Sequence, residues 1–369
     1  MPSRPPSPRR SRNGFRRWPG RGPVAEAADE EIGDRPGVPR PRETATLIGH
    51  GAAEAAFAEG LAAGRLHHAW LIGGPMGIGK ATLAYRVARR LLAYPRGDGP
   101  HGLDVPTDHP IYGQVAGLSH PNLVALRRHR GQGAKTLPTK ISVDMVRKAL
   151  DLFAATAADS GWRICVLDSA EDLNANAANA LLKVLEEPPP RALFLILAHQ
   201  PGRLLPTIRS RCRALILRPL ADGEVASAVR ALPPPFVQPD ESALARAVGL
   251  SEGSVGRALG LVDPVTAGLV AEVETLLARS ATPDWGRVLK LAETLAGRDG
   301  EERFAAAGDA VLRFVSAELD RRQGEPVARL AALVEVCEKF ARSAREAATY
   351  NLDRRPVVLS LFADLSRAG

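Results

Sequence analysis

Gly74-Pro75-Met76-Gly77-Ile78-Gly79-Lys80 stands between the apolar run Trp70-Leu71-Ile72 and a helix-patterned stretch, and little else in the chain restricts its fold as much. Glycines at this spacing let backbone N–H groups turn inward around an anion, and the helix N-terminus that follows favours negative charge. Both effects need a strand, a tight loop and a helix in that order, the opening unit of a parallel α/β domain. Further apolar runs lie at 123–126, 164–167, 193–198 and 214–217. All are short and nearly continuous, as parallel strands covered on both faces are. Helical patterns separate them at 80–94, 144–157 and 177–187. For the last of these, Asn174 or Asn176 is placed to cap the start and Pro188 to stop the end. Its Ala178, Leu181, Leu182 and Leu185 make the i, i+3, i+4, i+7 stripe of a packed face.

Strand signals cease after Pro219. Residues 220–262 read as a small helical unit broken at Pro233-Pro234-Pro235, and 263–369 as a larger all-helical one with stripes such as Leu330, Leu333, Val334 and Cys337. With 43–219 as a P-loop α/β domain, this makes three domains, within the range that 369 residues allow. No apolar run reaches the roughly 18 residues of a membrane span. Cys165, Cys212 and Cys337 are widely spaced with no CxxC pair, which points to a reduced cytoplasmic protein without disulfides or a zinc cluster.

Residues 1–42 contain ten Arg against five acids, a net +5 of the chain's +8, so the remaining 327 residues are nearly neutral. This Pro/Arg-rich stretch is expected to be a disordered basic tail. Prolines 5, 6, 8 and 19 argue against an amphipathic presequence. A second basic stretch, Arg127-Arg128-His129-Arg130 to Lys135 and Lys140, lacks interleaved aromatics and reads as a solvated loop rather than a DNA-binding surface.

The loop keeps the cradle and lacks part of the chemistry. Lys80 is placed to reach β and γ phosphates, but Ala81 stands where a magnesium-binding Ser or Thr belongs. Thr82 follows, rotated about 100° around the helix and so aimed elsewhere. Asp168 ends the apolar run 164–167, either as a carboxylate helping to hold a metal's waters or as a strand-ending turn residue. Ser169, next to it, is no general base at neutral pH. Gly74, Gly77, Gly79, Lys80, Thr82 and Asp168 are thus the candidate contacts of a degenerate nucleotide site, with ATP or ADP bound without hydrolysis. Arg209-Ser210-Arg211-Cys212 lies just before the last strand pattern. Arginines at such an edge can enter a neighbour's nucleotide site and stabilise transition-state charge.

The stretch Asn176-Ala-Ala-Asn179-Ala-Leu-Leu-Lys183-Val-Leu-Glu186-Glu187-Pro188-Pro189, followed by Ser210-Arg211-Cys212, resembles bacterial clamp-loader subunits of DNA polymerase III, within them the delta-prime type. The similarity runs from Leu47-Ile-Gly-His50 and Gly64-Arg-Leu-His-His68, through Ile141-Ser-Val-Asp144-Met-Val-Arg147, to Cys212, and more faintly to Asn351-Leu-Asp-Arg354. The resemblance implies an AAA+-like P-loop domain with a parallel sheet, a helical lid and a C-terminal helical collar. It implies a stator, not itself an active ATPase, that offers Arg211 as an arginine finger to an adjacent subunit while the sliding clamp is loaded in DNA replication. Implied partners are motor and delta-type subunits in a five-membered ring, the clamp and primed DNA, with no membrane. A self-sufficient AAA+ ATPase is the alternative. Active relatives carry a sensor Thr or Asn where Ala198-His199-Gln200 stands, and an arginine in the lid where Gly256 stands. Arg257 comes one residue late but within reach. Many relatives also hold zinc in an insert corresponding to 95–121; here that stretch has His101, His109 and His120 without ligand spacing, and reads as a solvated loop with no zinc.

Overall fold

The computed structural model describes residues 34, 35, 37–128, 140–154, 161–297, 300–322, 324, 327–350 and 352–368. Residues 1–33 of the basic tail, the stretch 129–139 containing Arg130 and Lys135, and Asn351 lie outside the described residues.

The five apolar runs form one parallel sheet. Its strands are β1 (Ala69–Gly73), β2 (Leu123–Leu126), β3 (Arg163–Leu167), β4 (Ala192–Ala198) and β5 (Arg213–Ile216), in the order β2-β3-β4-β1-β5. Register is set side by side: Leu71 pairs with Ile196, and Leu167 with Ile196 from the other flank. Because strand side chains alternate faces, each run feeds two cores. Trp70, Ile72, Leu193, Leu195 and Leu197 meet α1 (Gly51–Ala62), α2 (Lys80–Ala93) and α3 (Pro110–Ala116). Ala69, Leu71, Phe194 and Ile196 meet α4 (Val143–Ala154) and α5 (Ala175–Glu186). Phe57 of α1 lies 4.2 Å from the Trp70 ring, fully buried.

Asn174 caps α5, its Oδ1 accepting from Ala177 N at 2.8 Å. The helix buries Ala177, Ala178, Leu181 and Leu185; Leu182 is only partly covered. β5 differs from its expected covering on both faces: it is an edge strand with Arg213, Ala214 and Ile216 exposed. Its Arg213 guanidinium sits 4.6 Å over the Trp70 ring. An edge strand flanked by one neighbour loses cover that a central strand receives.

The stretch 95–121 is more ordered than a solvated loop. It contains α3, whose first amide, that of Ile111, donates to His109 Nδ1 at 3.2 Å. Arginines from α2 pin the rest: Arg86 pairs with Asp104 at 2.6 Å and Glu54 at 2.7 Å, and Arg90 donates to Gly102 O at 3.0 Å and Pro100 O at 2.9 Å. Both guanidinium groups are buried, and multiple partners are what a buried cation requires. Among the described residues no group of three or more His, Cys, Asp or Glu is placed to hold a metal.

Beyond β5 come α7 (Asp222–Arg230), α8 (Glu241–Leu250) and α9 (Val255–Leu261), which close around Leu220, Val225, Val229, Leu244, Val248 and Ala258. A further core joins α10 (Pro264–Leu277), α11 (Trp285–Ala296), α12 (Gly300–Arg321), α13 (Val327–Tyr350) and α14 (Arg355–Ala368). On α13 the buried positions are Leu333, Val336, Phe340 and Ala347, whereas Val334, expected in the stripe, is exposed. No helix of the described residues is long and apolar enough to cross a membrane.

Candidate functional site

In an open parallel sheet the carboxyl ends of the strands gather the connecting loops, and ligands bind there. At those ends stand the loop Gly74–Gly79 after β1, Asp168 and Ser169 after β3, and His199 after β4. The short α6 (Pro206–Arg209) leads into Arg211 at the opposite end of β5.

The loop has the shape its glycines imply. Gly74, Gly77 and Gly79 take φ of +138°, +76° and +106°, conformations in which a side chain is strained. At Gly74 a Cβ would also lie 2.5 Å from Leu217 O. What the sequence does not convey is that five consecutive carbonyls of this loop are occupied by the protein itself. Lys80 Nζ donates to Gly74 O at 2.7 Å and to Pro75 O at 2.6 Å. Ser254 Oγ donates to Met76 O at 2.9 Å, and the Gly256 amide to Gly77 O at 2.9 Å. His50 Nε2 donates to Ile78 O at 2.7 Å.

Lys80 is therefore not extended toward an anion; it is folded onto its own loop and only 4 % exposed. Burial lowers its pKa to about 8, against the opposing pull of the Asp168 and Glu171 carboxylates. Ala81 presents a methyl group where a metal ligand would be needed, and Thr82, half-buried on α2, makes no side-chain hydrogen bond among the described residues. A nucleotide's phosphates would have to draw Lys80 off two carbonyls, and position 81 offers no hydroxyl to a magnesium ion.

Ser169, next to Asp168, offers a hydroxyl in place of a second carboxylate. Ser169 has φ +65° and its Oγ is 3.1 Å from His199 Nε2. Burial, with Lys80's charge second, holds the His199 pKa down to about 4. The imidazole is thus neutral at pH 7, with Nδ1 buried and without a hydrogen-bond partner among the described residues.

The helical unit reaches the loop through Gly256, not through an arginine. A Cβ on Gly256 would lie 2.8 Å from Gly77 Cα, and one on Gly77 would lie 2.5 Å from Ser254 Oγ. Arg257, expected within reach of the site, turns away. It pairs with Glu252 and with Asp309 of α12, the latter at 3.0 Å. The one-residue offset moves its side chain about 100° around α9, onto the face that meets α12.

Arg211 lies on the turn between α6 and β5. Its Nη2 is 2.7 Å from Glu186 Oε1, and its Nη1 donates to Thr207 O at 2.9 Å. The side chain remains about one-third exposed at 34 %. In the basic stretch before α4, Arg128 pairs with Asp172 at 2.6 Å and Lys140 donates to Glu171 O at 3.0 Å. Both cations turn toward the protein. Ser254 was not singled out by pattern. Ser254 meets Met76 across 178 residues of chain, and no local spacing signals such a pair.

Comparison with known proteins gives a consistent picture. The family described as "DNA polymerase III, delta subunit" matches residues 49–221. The subunit delta-prime of DNA polymerase III from Pseudomonas aeruginosa is 38 % identical over 189 residues, 51 % of this chain and 53 % of that protein. Its Escherichia coli K12 counterpart is 35 % identical over 205 residues, 54 % and 55 % respectively. The tau subunit of E. coli K12 is 29 % identical over 284 residues, 76 % of this chain and 42 % of that protein. The chain thus spans about half the length of the curated relatives it matches. The resemblance drawn from its motifs, to delta-prime subunits, is supported over the α/β part of the chain.

Proposed function

We propose that this chain, related through residues 49–221 to the delta-prime subunits of bacterial DNA polymerase III, is a non-catalytic stator of a clamp loader. It acts by contact: Arg211 enters the ATP site of an adjacent subunit and stabilises charge developing on the transferred phosphoryl group. Its partners are other clamp-loader subunits in a ring, together with the sliding clamp and primed DNA, in the cytoplasm.

The observation that carries this reading is the loop that satisfies itself. With Lys80 on Gly74 O and Pro75 O, and Ala81 in the metal position, the chain's own pocket lacks the means to orient magnesium and water. The Asp168 and Glu171 carboxylates lie close enough to Lys80 to oppose the lowering of its pKa. ATP or ADP entering here would meet the amides of Gly77 and Gly79 and leave without hydrolysis. Arg211, by contrast, keeps about a third of its side chain exposed at 34 %, just before the edge strand β5.

The test is ATP turnover by the isolated chain and by the reconstituted complex. The isolated chain should hydrolyse no ATP above background. Arg211→Ala should leave the complex assembled while the motor subunits lose most of their DNA-stimulated turnover, the adjacent site slowing by ~10³-fold or more, the range of an arginine finger. Unchanged turnover in that variant refutes the finger, and hydrolysis by the isolated chain that disappears on Lys80→Ala restores the self-sufficient ATPase.

A further inference from the structure

Arg211 is held by a residue whose place in its own helix is unfavourable. Glu186 is the last residue of α5 and Glu187 its C-cap. Acids at a helix C-terminus meet the negative end of the macrodipole, an arrangement that local physics disfavours. Glu186 is nonetheless matched to one cation, with Oε1 2.7 Å from Arg211 Nη2. The pair is too exposed, at 34 % and 49 %, to contribute much stability, so folding alone does not account for it.

Orientation does. A free arginine samples many rotamers, and a finger must surrender that freedom whenever it engages a phosphate. Here Nη2 is tied to Glu186, and Nη1 to Thr207 O at 2.9 Å and Ser210 Oγ at 3.4 Å. Nη1 thus has two protein acceptors and Nη2 one; of the five guanidinium N–H groups this leaves one on Nη2 and the one on Nε for an incoming anion. The support is rigid: α5 is anchored in the core by Ala178, Leu181 and Leu185, the kind of element that holds a functional group to sub-ångström tolerance. We propose that Glu186 is a positioning residue that pre-orients the Arg211 guanidinium toward the nucleotide of a neighbouring subunit. The inference rests on the finger assignment above.

The test uses the reconstituted complex and compares Glu186→Gln, Glu186→Asp, Arg211→Ala and the double variant Glu186→Gln/Arg211→Ala, with kcat and KM for ATP measured separately. Glu186→Gln should lower kcat on the order of 10-fold, about 1.4 kcal/mol, with KM unchanged. Glu186→Asp, which keeps the charge on a shorter arm, should recover part of that loss. In the Arg211→Ala background Glu186→Gln should cause no further loss, because there is nothing left to orient. Wild-type or raised kcat in Glu186→Gln, with turnover abolished by Arg211→Ala, overturns the positioning role and leaves the finger standing. Wild-type turnover in both single variants sinks the finger itself. A Glu186→Gln loss that persists undiminished without Arg211 also overturns the proposal, since the carboxylate would then act through another group.

Discussion

Replacing Gly256 with alanine opposes two effects of known size on a single methyl group. Gly256 lies in the first turn of α9, where alanine is the better helix former by about 1 kcal/mol. Against this, the new Cβ would sit 2.8 Å from Gly77 Cα and 3.4 Å from Gly77 O. Both are backbone atoms of a loop whose carbonyls are already engaged, so α9 must withdraw. Withdrawal stretches the Gly256 amide bond to Gly77 O, and with it the Ser254 Oγ bond to Met76 O. The first is an ordinary hydrogen bond worth about 1 kcal/mol. Ser254 is 1 % exposed, and a buried polar group left unpaired costs about 1–3 kcal/mol. The losses exceed the helical gain by about 1–3 kcal/mol. The contact is local, so the assay is amide hydrogen exchange read by peptide. Exchange in Gly74–Gly79 and in α9 should accelerate together by about 5- to 150-fold at 25 °C, while α13 stays unchanged. Equal or slower exchange in Gly256→Ala would mean that the loop and α9 are not held by this contact, and the account of the self-satisfied loop would fail.

Other outcomes follow from the same geometry. Lys80 has a pKa of about 8, below the ordinary lysine value of 10.5, so between those pH values the unfolded chain holds a proton that the folded chain has released and stability rises with pH. Chemical denaturation should show wild type gaining about 2 kcal/mol relative to Lys80→Met from pH 7.5 to 9.5; a flat difference contradicts the buried-cation assignment. His199, at about 4, acts with the same sign in a lower pH window: as pH falls below the ordinary histidine value the unfolded chain takes up a proton that the folded chain refuses. Wild type should therefore lose about 1–2 kcal/mol relative to His199→Gln between pH 7 and 5, measured the same way. Phe57→Ala removes a fully buried ring beside Trp70 and should lower the stability of the sheet core by about 3–5 kcal/mol, with Trp70 fluorescence as the reporter.

The retained glycines of the loop take on meaning in this light. The close approach of α9 gives Gly77 a packing role: any side chain there meets Ser254 Oγ at 2.5 Å. The same applies to Lys80, whose two bonds close the loop's first carbonyls.

The chain's own sequence determined the parallel sheet, the helices between strands and the strand–loop–helix around Gly74–Lys80. These depend on periods of two and 3.6 residues and on turn glycines, which are local properties. It also determined what was missing, since Ala81 is missing a hydroxyl in any fold. Tertiary structure decided the rest. That Gly256 rests on Gly77, that Ser254 closes Met76 O and that Arg257 faces Asp309 depend on how a distant helical unit packs against the loop. The edge position of β5 and the exposure of Val334 were settled likewise, because cover comes from neighbours and a stripe does not name them. The pairing of Arg211 with Glu186 belongs to the same class: two residues legible as a motif, whose contact exists only once α5 and the turn after α6 are brought side by side.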